Sequence, residues 1–184
     1  MRSGLSVVGF AAVLAASCAS SPDAVAWNDL HVDVPEGWHV SENDPGKLSL
    51  ANAPLGRESS ADDLEAAIFF TVEESPSLEP WREIVAERDG EVEEDTGINL
   101  AGVDADRIVF TTPGNGTPMR EMVVVVPARD LVILLQPVVL RESTEGPAIF
   151  DRYRPVFEDV LSSITWQGQQ PVGAFAPVPV TARR

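Results

Sequence analysis

Leu30-His31-Val32-Asp33-Val34 alternates strictly between apolar and polar positions, which predicts a strand with one buried face. Pro35-Glu36-Gly37 reads as a turn, Trp38-His39-Val40 as renewed extended chain, and Lys47–Ala51 as a second short alternating piece. Residues 52–63 read as a loop. Ala66–Val72, rich in aromatic and β-branched residues, predicts a strong strand. A helix is expected next. Ser77 is placed to cap it, Pro80 suits its first turn, Gly90 lies beyond its end, and Trp81, Ile84, Val85 and Arg88 share one face. Ile98-Asn99-Leu100 returns to extended chain, and Ala101-Gly102 turns into a strand over Val103–Thr112. Pro113-Gly114-Asn115-Gly116 is a hairpin loop. Met119–Val126 and residues 131–139 are nearly continuous apolar runs joined at Pro127-Ala128-Arg129-Asp130, so both faces of each should be covered. Pro137 suggests that the second run frays or bulges late. Phe150, Tyr153, Phe157, Val160, Leu161 and Ile164 recur at three and four residues, a helical period. Pro155 should kink that helix or restart it.

The first residues follow a different pattern. Arg2 is the only charge before Asp23, and an apolar run from Leu5 to Ala16 follows it. The run is too short to span a bilayer, which takes about 20 apolar residues, and suits a cleaved export signal. It ends in Leu14-Ala15-Ala16-Ser17-Cys18, which resembles the lipobox of bacterial lipoproteins. That resemblance implies cleavage between Ser17 and Cys18 and a lipid on the Cys18 thiol. Cys18 is the single cysteine, so no intramolecular disulfide can form, and a lone cysteine in an exported chain needs another explanation. Two readings compete: a plain secretory signal cleaved after Ala24-Val25-Ala26, and a cytosolic chain with a buried start. The expected organisation is a signal at 1–17, a lipidated linker at 18–26, one domain at 27–166 and a disordered tail at 167–184.

The formal net charge of −16, or −17 once Arg2 is removed, argues against nucleic acid, whose phosphates call for a basic patch. It argues equally against adsorption to anionic lipid headgroups. The remaining membrane interaction is then the Cys18 lipid itself.

Catalytic groups are scarce. His31 and Asp33 share a strand face, and with Ser49 they make a conceivable Ser-His-Asp set, but no nucleophile-elbow sequence accompanies them. His31 and His39 with Asp33 form a thin candidate for zinc or copper. The runs Asp62-Asp63-Leu64-Glu65 and Glu91-Val92-Glu93-Glu94-Asp95 lack the order of a calcium loop and read as solvated loops. Asn115-Gly116-Thr117 matches a glycosylation sequon but fits hairpin chemistry equally. No cofactor and no metal are expected. The long loop ending in Asp62, Asp63 and Glu65 is the candidate partner surface.

Three motifs occur in a telling order: Val34-Pro35-Glu36-Gly37-Trp38, then Leu100-Ala101-Gly102-Val103-Asp104-Ala105, then Val160-Leu161-Ser162-Ser163-Ile164. In that order they resemble the opening, the central hairpin turn and the closing helix of PsbP-like domains, the group of Mog-type proteins and LpqN-type lipoproteins. The resemblance covers about residues 27 to 166. It implies an α+β fold, an antiparallel sheet with helices on both faces, and accessory or binding roles in place of catalysis. The expected function is that of a lipid-anchored, non-catalytic module for a protein partner in the cell envelope, on the outer side of a cell membrane or in an outer membrane. The alternatives are a carrier of a small apolar ligand or lipid, and an enzyme with an unrecognised site.

Overall fold

The computed structural model describes residues 23–53, 64–113, 118–138 and 145–167. The elements run β1 (Ala24–Trp27), β2 (Leu30–Asp33), β3 (His39–Asp44), β4 (Lys47–Ala51), β5 (Ala66–Val72), α1 (Glu79–Glu87), β6 (Glu91–Leu100), β7 (Val103–Thr112), β8 (Met119–Val126), β9 (Leu131–Pro137), α2 (Gly146–Ser163) and β10 (Thr165–Trp166). A 3-10 turn, Pro127–Arg129, joins β8 to β9.

Seven strands form one antiparallel sheet in the order β3-β4-β5-β9-β8-β7-β6, and β1-β2-β10 form a second, small antiparallel sheet. Alternation sorts the central strands. On β8, Met122, Val124 and Val126 join the larger apolar cluster, while Val123 and Val125 join the smaller one. Both faces of that strand are therefore dry, which explains its unbroken apolar run. The larger cluster takes in Phe150, Phe157, Val160 and Leu161 of α2 and Leu30, Val32 and Trp166 of the small sheet. The smaller cluster adds Leu78 and Val85 to Ile108, Phe110, Val123, Val125 and Val132. Burying one such Val, Leu or Phe side chain is worth roughly 1.5–3 kcal/mol.

The fold is mixed and sheet-dominated: among the described residues ten strands stand against two helices, α1 is nine residues long and buries only Val85, and α2 shares its face with the small sheet. Several expectations are corrected. Residues 24–26, expected within a linker, belong to β1. Val25 pairs with Val32, and Trp27 is buried against Phe70. Leu78, not Ser77, is the N-cap residue of α1 and supplies no side-chain bond. The acidic run at 91–95 is not a loop but the start of β6, an edge strand whose ten residues are mostly exposed. Charges on an unpaired edge discourage strand addition by another chain. α2 runs through Pro155 without a break. That proline and Asp151, whose carbonyl loses its helical donor, are both on the exposed side. β9 stops at Pro137, and the next backbone amide, Val138, donates to the Glu65 carbonyl at 2.7 Å.

Candidate functional site

The conceivable catalytic set does not assemble. Ser49 is buried on β4 between Leu48 and Leu50, which both point into the larger cluster, so its side chain faces the other side of the sheet. His31 and Asp33 lie on the small sheet, which packs onto the larger-cluster side. His31 Nε2 lies 3.0 Å from Gln167 Nε2, at the end of β10. His39 opens β3 in the other sheet, opposite Ala51. Among the described residues no three His, Cys, Asp or Glu side chains gather in a way that could hold a metal ion. No helix among them is long and apolar enough to cross a membrane. Ser17, Cys18, Asp62 and Asp63 lie outside the described residues, as do the sequon and the stretch 168–184.

Glu65 is placed, and it is committed elsewhere. Arg152 Nη1 donates to both its carboxylate oxygens, at 3.0 and 2.9 Å, and the Tyr153 hydroxyl donates to Oε2 at 2.8 Å. Asn52 Oδ1 accepts from the backbone amides of Glu65 and Ala66, both at 2.9 Å. Asn52 and Glu65 thus clamp the two ends of the long loop against α2. Glu65 closes the loop and is not a free contact for a partner. The acidic run on β6 is likewise engaged. Glu93 pairs with Arg120 at 2.9 Å, and Glu94 pairs with Arg154 at 2.7 Å and Arg107 at 3.5 Å, tying the edge strand to β7, β8 and α2.

Two concavities lie at opposite ends of β2. The first, about 300 Å³, is walled by Trp27, Asn28, Asp29, Pro45, Arg129 and Trp166. Its charges are internally matched: Arg129 Nη1 sits 2.6 Å from Asp29 Oδ2, and the guanidinium stacks 4.9 Å above the Trp166 ring. A cation already paired and stacked leaves little for a ligand.

The second, about 390 Å³, is a groove between the turn after β2 and the last turns of α2. Pro35 accepts a backbone bond from Trp38 at 3.0 Å, and Gly37 has φ 78°, the left-handed value that this turn type needs at its third position. The turn swings Trp38 over α2, where it meets Tyr153 edge-on at 5.9 Å and Phe157 at 6.4 Å. At the other wall Ser163 Oγ accepts from the Asp33 amide at 3.0 Å and donates to the Val160 carbonyl at 2.8 Å, fixing β2 to the helix end. Val34 and Val160 are buried beneath the groove, while Trp38 and Val156 are half-buried. Asp33, Glu36 and Asp159 edge it. Among the described residues their carboxylates have no hydrogen-bond or ion-pair partner, although most arginines of the domain are paired with other acids. The result is an apolar floor with an unneutralised acidic rim. In the sequence the groove-forming residues read as a strand end, a turn, extended chain and a helix. Their meeting depends on β2 docking against α2, for which the local pattern carries no signal.

Among the perturbed titrating groups, one glutamate and one tyrosine are shifted mainly by burial. Glu121, on β8 opposite Phe110, has its carboxyl pushed up by burial, with Arg88 opposing the shift. Tyr153 is pushed up first by burial and then by its bond to Glu65.

No family model matches the chain, and no curated protein does. Solved structures do resemble it. A Pseudomonas aeruginosa protein of unknown function aligns over 80% of this chain and 98% of its own, at TM-score 0.42 and 12% identity. The solution structure of PsbP from the cyanobacterium Synechocystis aligns over 75% of this chain and 86% of its own, at TM-score 0.42 and 14% identity. A Bacteroides thetaiotaomicron structure aligns over 77% of this chain and 46% of its own, at TM-score 0.41 and 12% identity.

Proposed function

We propose that this chain is an exported lipoprotein of PsbP-like, LpqN-type architecture, its sheet flanked by helices on both faces, held to a membrane by lipid on Cys18. Its domain acts as a non-catalytic docking module for an envelope protein. The observation that carries the docking reading is the groove: Trp38 and Val156 left half-open beside three carboxylates that the fold does not neutralise. An open apolar floor rimmed by polar and charged groups is the layout of a binding surface. Position supports the same reading. The Val34 amide donates to the Asp23 carbonyl at 2.8 Å, so the chain enters the domain next to the groove. Asp23 lies five positions after Cys18, at most about 18 Å of extended chain. A lipid on Cys18 therefore holds the groove close to the membrane, within reach of integral proteins.

The test is capture in intact cells with a photoreactive residue replacing Val156, and with the same residue at exposed Glu83 on α1 as a control. A protein captured from Val156 and not from Glu83 is expected. Equal capture from both positions, or none from Val156, overturns the docking reading.

A further inference from the structure

The groove also restricts what can occupy it. We propose that it receives a basic amphipathic peptide segment of the partner, a stretch with apolar side chains on one face and Lys or Arg beside them. This inference rests on the docking reading above and names the occupant.

The floor sets the first requirement. Trp38 and Val156 present aromatic and aliphatic surface over the buried Val34 and Val160, with the Trp38 ring already oriented by its edge-on contacts to Tyr153 and Phe157. An oriented aromatic loses little freedom on binding, so it suits an apolar anchor. The rim sets the second. Asp33 and Glu36 lie on one side and Asp159 on the other, so carboxylates border the floor from both walls. No described arginine or lysine pairs with them, and the chain as a whole carries −16. An anionic or purely apolar occupant would bury those charges without compensation, which is costly. A lipid surface bearing anionic headgroups is repelled for the same reason. A polypeptide with Lys or Arg beside its apolar residues answers both requirements at once. At about 390 Å³ the groove takes a few side chains of one segment rather than a folded domain.

The experiment uses the full-length lipoprotein in neutral detergent and a photo-crosslinkable peptide of about 18 residues made of Lys and Leu, long enough for a helical apolar face. A Glu/Leu peptide tests charge, and a Lys/Ser peptide tests the apolar face. The expected result is adducts of the Lys/Leu peptide mapping to residues 34–38 and 156–163. The yield should fall about tenfold in a Glu36→Lys/Asp159→Lys variant and as salt screens the rim. A Glu87→Lys/Glu91→Lys variant, with the same change in net charge at two other exposed positions, should stay within about twofold of wild type. Both variants alter exposed side chains, and matching unfolding curves confirm that each is folded. The inference is overturned if the Glu/Leu or Lys/Ser peptide crosslinks equally well, if the adducts map elsewhere, or if the two variants lose yield equally. Capture in cells from Val156 of a segment that is not basic would overturn the occupant while leaving the docking reading standing. No capture from Val156 removes both.

Discussion

The Tyr153 hydroxyl donates to Glu65 Oε2 at 2.8 Å, joining positions 88 apart in the chain. One bond fastens the return of the long loop to the middle of α2, on the same helix that forms a wall of the groove. Tyr153 also gives its ring edge to Trp38, so loop closure and groove are built on one side chain.

Tyr153→Phe should therefore lower stability by about 1 kcal/mol, the usual net worth of such a bond. Its pH dependence is specific. A phenol whose pKa is raised on folding contributes stability that is present below about pH 10 and lost as pH rises through the folded value. Urea midpoints for wild type should fall as pH climbs above about 10, and the gap between wild type and Tyr153→Phe should narrow there. A constant gap from pH 7 upward would contradict the assignment.

Glu121 follows the same rule in a lower pH range. Burial raises its pKa, so the native state favours the protonated form and the ionised carboxylate weakens the fold once pH exceeds the usual glutamate range near 4.3. Glu121→Gln should be at least as stable as wild type at pH 7, with its advantage disappearing toward pH 4. Chemical denaturation of both proteins across that range checks the sign.

Gly146 opens α2 against the backbone at Pro118. A methyl group added there would stand 2.2 Å from the Pro118 carbonyl oxygen, a rigid neighbour. Gly146→Ala should cost about 1–3 kcal/mol, the range for overpacking, because the helix start must move. Gly97 on β6 has open space around the same added atom, so Gly97→Ala should lack that clash. Thermal melts of the pair distinguish the two.

Cys18→Ser should release the protein from membranes. Acyl chains contribute about 0.8 kcal/mol per buried CH₂, and two chains suffice for stable anchoring. Fractionation of cells and detergent phase partitioning check this. Wild type in the aqueous phase would contradict the anchor.

The local chain pattern was sufficient where an element carries its own signal. The strands at Ala66–Val72, Val103–Thr112 and Met119–Val126 begin and end where the sequence pattern and its turns place them, because residues buried on a sheet face must repeat with the pleat. The turn at Pro35-Glu36-Gly37-Trp38 was legible for the same reason: proline and glycine state their backbone angles locally. Tertiary structure decided everything that lacks a period or depends on a distant partner. β1 and β10 have four and two residues, too few to alternate visibly, and exist because β2 supplies their hydrogen bonds. The acidic run on β6 looked like solvent-facing loop, since an edge strand exposes polar side chains much as a loop does; its pairing with β7 makes it a strand. Glu65 looked available because a sequence shows a charge but not the Tyr153 and Arg152 waiting on a helix far along the chain. The groove follows the same rule. Val34, Trp38, Val156 and Asp159 are ordinary residues of a strand end, extended chain and a helix until β2 docks on α2, and contact between elements more than a hundred residues apart leaves no trace in the local pattern of either.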